Sequence, residues 1–142
     1  MNQRITNTQQ GFTLLELLVV LGIIAMLAGL VGPQVMKHMA ESKVKAAKVQ
    51  LEDLAQTLDM YKLDVGGYPT SDQGLEALIA SPEGAQRWNG PYLRKNKVPL
   101  DPWNNEYIYA SPGEHGKFDL SSLGADGKEG GEGEDKDLTS WE

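Results

Sequence analysis

Glu16 stands at the margin of an apolar run that carries no charge from Leu17 to Met36. A lone ionised carboxylate in such a place costs on the order of 3 kcal/mol, so it needs a partner. A cut between Gly11 and Phe12 would create one: the new α-amino group of Phe12 would lie one helical turn from Glu16, on the same face. It could pair with that carboxylate or with a neighbouring subunit's, and a pair made between subunits would fix their axial register. A second concentration of chemistry lies further along, where Gly124, Gly127, Gly130, Gly131 and Gly133 punctuate Asp126, Glu129, Glu132, Glu134, Asp135 and Asp137. Such a segment turns sharply and presents many oxygens, and calcium takes roughly six to eight of them, backbone carbonyls included. The EF-hand spacing does not fit, because Lys128 and Gly130 occupy positions where that loop needs oxygen side chains. Composition alone would equally allow a solvated acidic tail. Leu123 before the acids and Leu138 and Trp141 after them argue for a loop folded onto a core.

Composition narrows the function classes. The net charge of −7 is concentrated: from Asp119 to Glu142 eight acids face only Lys128 and Lys136. That density repels phosphate backbones and attracts cations, which excludes nucleic acid as a partner for this end. The absence of cysteine removes disulfides, thiol catalysis and cysteine-held zinc together. His38 and His115 are far apart in sequence and are expected to be surface residues without a role. Ser111, Ser121 and Ser122 lack a nucleophile-elbow pattern, and no phosphate-cradling Gly-Lys-Ser/Thr string occurs, so no enzyme is expected.

The elements that must position these groups are legible. At about 1.5 Å per residue, Leu17–Met36 makes a helix about 30 Å long, the thickness of a hydrocarbon core. A cleaved secretory signal fits poorly: Arg4 is the one leader cation, the apolar stretch is too long, and no Ala-x-Ala pattern occurs around Ala25 to Gly32. Beyond Pro33, expected to kink or locally melt the helix, Ala40, Val44, Ala47, Leu51, Leu54, Leu58, Tyr61 and Val65 step by threes and fours. They form one stripe aimed at the domain's own core. Gly66-Gly67 and Tyr68-Pro69 end that helix. Thr70 with Gln73 spells a capping box for a short helix over Gly74 to Ala80. Asp101-Pro102-Trp103-Asn104-Asn105 is turn chemistry leading into a strand over Glu106–Ala110. After the loop Ser111–Gly116, the alternation of Phe118, Leu120 and Ser122 completes an antiparallel hairpin.

The string Gly11-Phe12-Thr13-Leu14-Leu15-Glu16-Leu17 ahead of the apolar run resembles the type III signal of type IV pilins and pseudopilins. Tyr68–Leu78, Asp101–Asn105 and Leu123-Gly124-Ala125-Asp126-Gly127 are similar to the major pseudopilins of type II secretion, and the likeness covers most of the chain after Gly11. The resemblance implies an α+β, pilin-like fold: a long N-terminal helix, half transmembrane and half amphipathic, packed on a small C-terminal antiparallel sheet with a metal-binding loop. It implies a leader over 1–11 cut by a prepilin peptidase, N-methylation of Phe12, a transmembrane and polymerisation helix over 12–36 with Glu16 in assembly, and a periplasmic domain over 37–142. The cofactor it implies is calcium, with Asp126 and Asp135 as side-chain ligands, Leu123 and Lys128 as carbonyl donors, and Glu134 and Asp137 as further candidates.

The function so implied is that of a subunit of a periplasmic pseudopilus that drives export of folded proteins across the outer membrane. Its partners would be other copies of itself in a helical polymer, minor pseudopilins, the peptidase, the inner-membrane assembly platform, and membrane lipid before assembly. The chain would then be a single-pass inner-membrane protein. Charge counting disagrees, because Lys37, Lys43, Lys45 and Lys48 outnumber Arg4 plus the amino terminus and would put the C-terminal side in the cytoplasm. The processing motif takes precedence over that statistical rule. Two alternatives stand beside this reading: a type IV pilus subunit, and a monomeric membrane-tethered calcium-binding module.

Overall fold

A computed structural model describes residues 11–142. They divide into one unit extending to His38 and another from Met39 to Glu142. The leader expected over 1–11 lies, Gly11 apart, outside the described residues.

Helix α1 (Leu14–Val65) supplies the whole of the first unit's regular structure. Its most apolar 18-residue window has a mean hydropathy of 2.7 and none of it is buried. A helix apolar on every side and bare of protein belongs in a bilayer or against other helices. The local melting expected at Pro33 does not occur, for the helix is continuous through that residue. Proline deletes a single backbone donor, and the hydrogen bonds on either side of the gap can persist without it.

In the second unit the periodic stripe on α1 becomes the core. Ala47, Leu51, Leu54, Leu58 and Tyr61 are buried, while Ala40, Val44 and Val65 are partly covered. Each large side chain so buried contributes about 1.5–3 kcal/mol of hydrophobic stabilisation. The helix stops where expected: Gly66 takes a φ of 98°, and its N–H donates to the Lys62 carbonyl at 2.8 Å.

The capping box forms but caps a different structure. Thr70 N–H donates to Gln73 Oε1 (3.0 Å) and Gln73 N–H to Thr70 Oγ1 (3.3 Å). They close the turn Ser71–Gly74, which leads into a 3-10 turn, Leu75–Leu78, rather than a helix over Gly74 to Ala80. Its Leu75, Ala77 and Leu78 enter the core. Gly74 at a φ of 58° interrupts the helical backbone between cap and body.

Strands β1 (Ile108–Ala110), β2 (Asp119–Ser122) and β3 (Leu138–Thr139) form one antiparallel sheet in the order β1-β2-β3. Tyr109 faces Leu120, and Ser122 faces Leu138. The expected hairpin is present, with β1 shorter than Glu106–Ala110 and a third strand added. Tyr107, Leu120 and Leu138 join the α1 stripe in one buried cluster. The irregular segment before β1 is tied down by its aromatics: Trp88 Nε1 donates to the Ala77 carbonyl (2.8 Å), and Tyr92 Oη donates to Asp64 (2.9 Å).

Candidate functional site

Gly11 and Phe12 lie ahead of α1, outside any regular element, and Phe12 is 84% exposed. Glu16 sits in the first turn of α1, where Thr13 meets it reciprocally. Thr13 N–H and Thr13 Oγ1 donate to Glu16 Oε2 at 2.9 and 3.0 Å, and Glu16 N–H donates to Thr13 Oγ1 at 3.2 Å. This is a capping box that satisfies helix donors otherwise orphaned, and it places a carboxylate at the positive end of the helix dipole. In the uncut chain the Phe12 nitrogen is an amide, so Thr13 is the partner that holds Glu16. The Thr13-x-x-Glu16 spacing carried this information in the sequence, just as Thr70 and Gln73 did.

The acidic glycine segment folds back on itself. Ala125 N–H donates to the Glu134 carbonyl (2.8 Å), and Gly130 N–H donates to Asp137 Oδ2 (2.9 Å). Gly124, at a φ of 66°, packs so closely on the backbone of Glu134 and Asp135 that no Cβ would fit. Asp126 is exposed in the turn after Leu123 and accepts from Lys128 N–H (3.1 Å), while Glu134 and Asp135 lie on the 3-10 turn Gly133–Asp135. Asp137 immediately precedes β3, and its Oδ1 is buried without a hydrogen-bond partner. The donors are hard oxygens, suited in type to calcium. Among the described residues, however, no three histidine or acidic side chains converge as a metal-holding group. The structure thus brings the backbones of Gly124, Glu134 and Asp135 together and leaves the carboxylates apart.

Beneath the loop is a polar anchor whose role sequence reasoning missed. Asp101, only 3% exposed, accepts from the N–H groups of Trp103 (3.0 Å) and Asn105 (2.8 Å) through Oδ1, and from Ser122 Oγ (2.6 Å) through Oδ2. Asn105 Nδ2 in turn donates to the Gly124 carbonyl at 2.9 Å. The turn at 101–105 therefore fixes where the acidic loop leaves β2. His115, expected to have no role, holds Asp119 through Nδ1 (2.9 Å) and stacks on Trp141 with ring centroids 4.1 Å apart. Asp119 lies four residues beyond His115, a spacing that offered the one available signal.

Comparison with known proteins agrees with this geometry. Residues 34–141 match the sequence family described as type II secretion system (T2SS), protein G, and residues 6–32 match the prokaryotic N-terminal methylation motif. The chain belongs to the type II secretion system protein G family. Within the protein G family it is 51% identical over 138 residues to the core protein G of Pseudomonas aeruginosa, covering 94% of this chain and 96% of that one. It is 45% identical to the Vibrio cholerae protein (94% and 92% covered) and 43% identical to that of Escherichia coli K12 (97% and 94% covered). The crystal structure of the major pseudopilin from the type 2 secretion system of enterohaemorrhagic Escherichia coli superposes with a TM-score of 0.61 at 34% identity, covering 75% of this chain and 92% of that one. The pilin-like α+β architecture is therefore that of a protein G pseudopilin, and the type IV pilus alternative gives way to it. The methylation motif spans Gly11, Phe12 and Glu16.

Proposed function

We propose that this protein G pseudopilin is a non-enzymatic filament subunit, cut between Gly11 and Phe12 by a prepilin peptidase, methylated on Phe12 and polymerised through the helix over 12–36. The observation that carries the reading is the pairing of an exposed Gly11–Phe12 junction with an uncharged, wholly uncovered helical span. Before assembly the span lies in the inner membrane, with the second unit on the periplasmic side. After assembly it packs on the spans of other copies, where Gly22, Ala25, Ala28 and Gly29 permit close approach. Heterologous contacts repeated in this way give an open helix rather than a ring. Minor pseudopilins and the assembly platform are the other partners of such a polymer.

Glu16 passes in this scheme from its Thr13 cap to the α-amino group freed on a neighbouring subunit, which selects the register. Calcium, when bound, would neutralise the acidic loop. Asp126 and Asp135 would hold it by side chains and Leu123 and Lys128 by carbonyls, with Glu134 or Asp137 completing the set. The buried, unpartnered Asp137 Oδ1 supports a cation there. Mass spectrometry of the N-terminus tests the processing step. A mature chain beginning at N-methylated Phe12 is expected, and an intact Met1 in cells that carry the secretion system would remove the filament reading in favour of a simple membrane tether.

A further inference from the structure

Between two anchored aromatics of the second unit, one dipeptide carries chemistry that the fold does not use. Asn89 precedes Gly90 outside any regular element, and Asn89 is exposed. Its surroundings are held in place. Trp88 Nε1 donates to the Ala77 carbonyl (2.8 Å), and Tyr92 Oη accepts from the Asn89 N–H (3.0 Å) while donating to Asp64 Oδ2 (2.9 Å). Among the described residues, neither the Asn89 side chain nor the Gly90 N–H makes a hydrogen bond. A carboxamide free to turn back, followed by a main-chain nitrogen with no side chain to shield it, is what attack of that nitrogen on the asparagine Cγ requires. Packing fixes the glycine, because a Cβ at position 90 would come 2.5 Å from the Trp88 indole. The other described asparagines differ. Asn96, Asn104 and Asn105 precede Lys97, Asn105 and Glu106, whose side chains crowd the attacking nitrogen, and Asn105 Nδ2 is committed to the Gly124 carbonyl (2.9 Å).

We propose that Asn89-Gly90 is a self-modifying site, at which the folded chain deamidates to an isoaspartyl link that loosens the Trp88–Tyr92 segment from α1. Water is the only co-reactant. The Gly90 nitrogen gives its proton to hydroxide and bonds to Asn89 Cγ, the Cγ–Nδ2 bond breaks, and Nδ2 leaves as ammonia with a proton taken from water. Water then opens the five-membered imide. Opening at Cγ leaves an ordinary aspartyl residue, whereas opening at the main-chain carbonyl leaves the chain running through Cβ and Cγ with a new carboxylate beside it. Nothing is oxidised or reduced. Either product places an anion one bridging hydroxyl from Asp64, and like charges so placed repel. The isoaspartyl product also lengthens the main chain by one atom, which moves Gly90 off the indole packed against it. The inference is independent of processing, membrane insertion and polymerisation.

The test ages the full chain in detergent, in neutral and in mildly alkaline buffer, and follows the tryptic peptide Trp88–Arg94 released by cuts after Arg87 and Arg94. That peptide is expected to gain one mass unit and to accept a methyl group from S-adenosylmethionine in the presence of isoaspartyl methyltransferase. Its conversion should run several-fold faster than deamidation at Asn96, Asn104 or Asn105, and faster again in the alkaline buffer. Aged wild type should melt at a lower temperature than fresh protein. Asn89→Ala removes a side chain that bonds nothing, so it should fold as the wild type does and lose both the mass gain and the fall in melting temperature with age. A peptide that keeps its mass in the folded chain while converting in urea would overturn the proposal, since the fold would then shield the site. So would a fully converted chain that melts with the fresh one, because the segment would have stayed in place.

Discussion

Asp101 carries more structure than its place in a turn suggests. Replacing it by alanine strips the acceptor from two backbone donors and from the Ser122 hydroxyl in a buried setting. Asp101→Ala is therefore expected to lower unfolding free energy by about 3 kcal/mol, read in denaturant melts of the full chain in detergent. The turn itself was legible from Asp101-Pro102 and the paired asparagines. Its reach to Ser122 and Gly124 was not, because no periodic signal links segments about 20 residues apart. Asp119 gives the pH dependence. Partial burial pushes its carboxyl up, but the His115 ring and the N–H groups of Glu114 and His115 outweigh that and hold it below the ordinary carboxylate value. A depressed folded-state value means stability that is present above the unfolded value, near 4, and lost as pH falls through the folded one. Asp119→Asn should therefore flatten the decline of melting temperature below about pH 4, read in melts across that range.

Among the elements, the stripe on α1 was fully legible because a 3.6-residue period needs no knowledge of what it packs against. Leu58→Ala, at a fully buried position of that stripe, should cost about 2–5 kcal/mol in the same melts. Strand β3 was hidden: two residues cannot display alternation, and only the apolar character of Leu138 marked it. The acidic loop was legible in composition and opaque in shape, since glycines specify freedom rather than a path. Its path makes Gly124 irreplaceable. Gly124→Ala combines a left-handed backbone with a clash against Glu134 and Asp135, and should lower the melting temperature and weaken any calcium effect together. Calcium added to wild type should raise the melting temperature and chelator should reverse it, because six excess negative charges in one segment repel each other without a cation. Equal melting temperatures in the two conditions would remove calcium from this account.

At the scale of the molecule, a bare apolar span and a separately cored unit make an object that is incomplete as a monomer. Glu16→Leu should relieve the cost of a carboxylate in the bilayer, leaving membrane insertion intact or improved, yet sharply reduce filaments counted by electron microscopy. Polymers of unaltered number and helical geometry would detach Glu16 from assembly. The cluster that joins Ala47 and Leu51 to Leu120 and Leu138 has a bearing on biosynthesis. A ribosome delivers the helical stripe long before the strands that cover it, and pairing across such sequence distance is slow. During that interval the nascent chain displays greasy surface just outside a segment already competent to insert, so a chain stalled before Leu138 offers proteases an open target. Translation speed through the last third of the message should consequently govern how many subunits survive to reach the secretion apparatus.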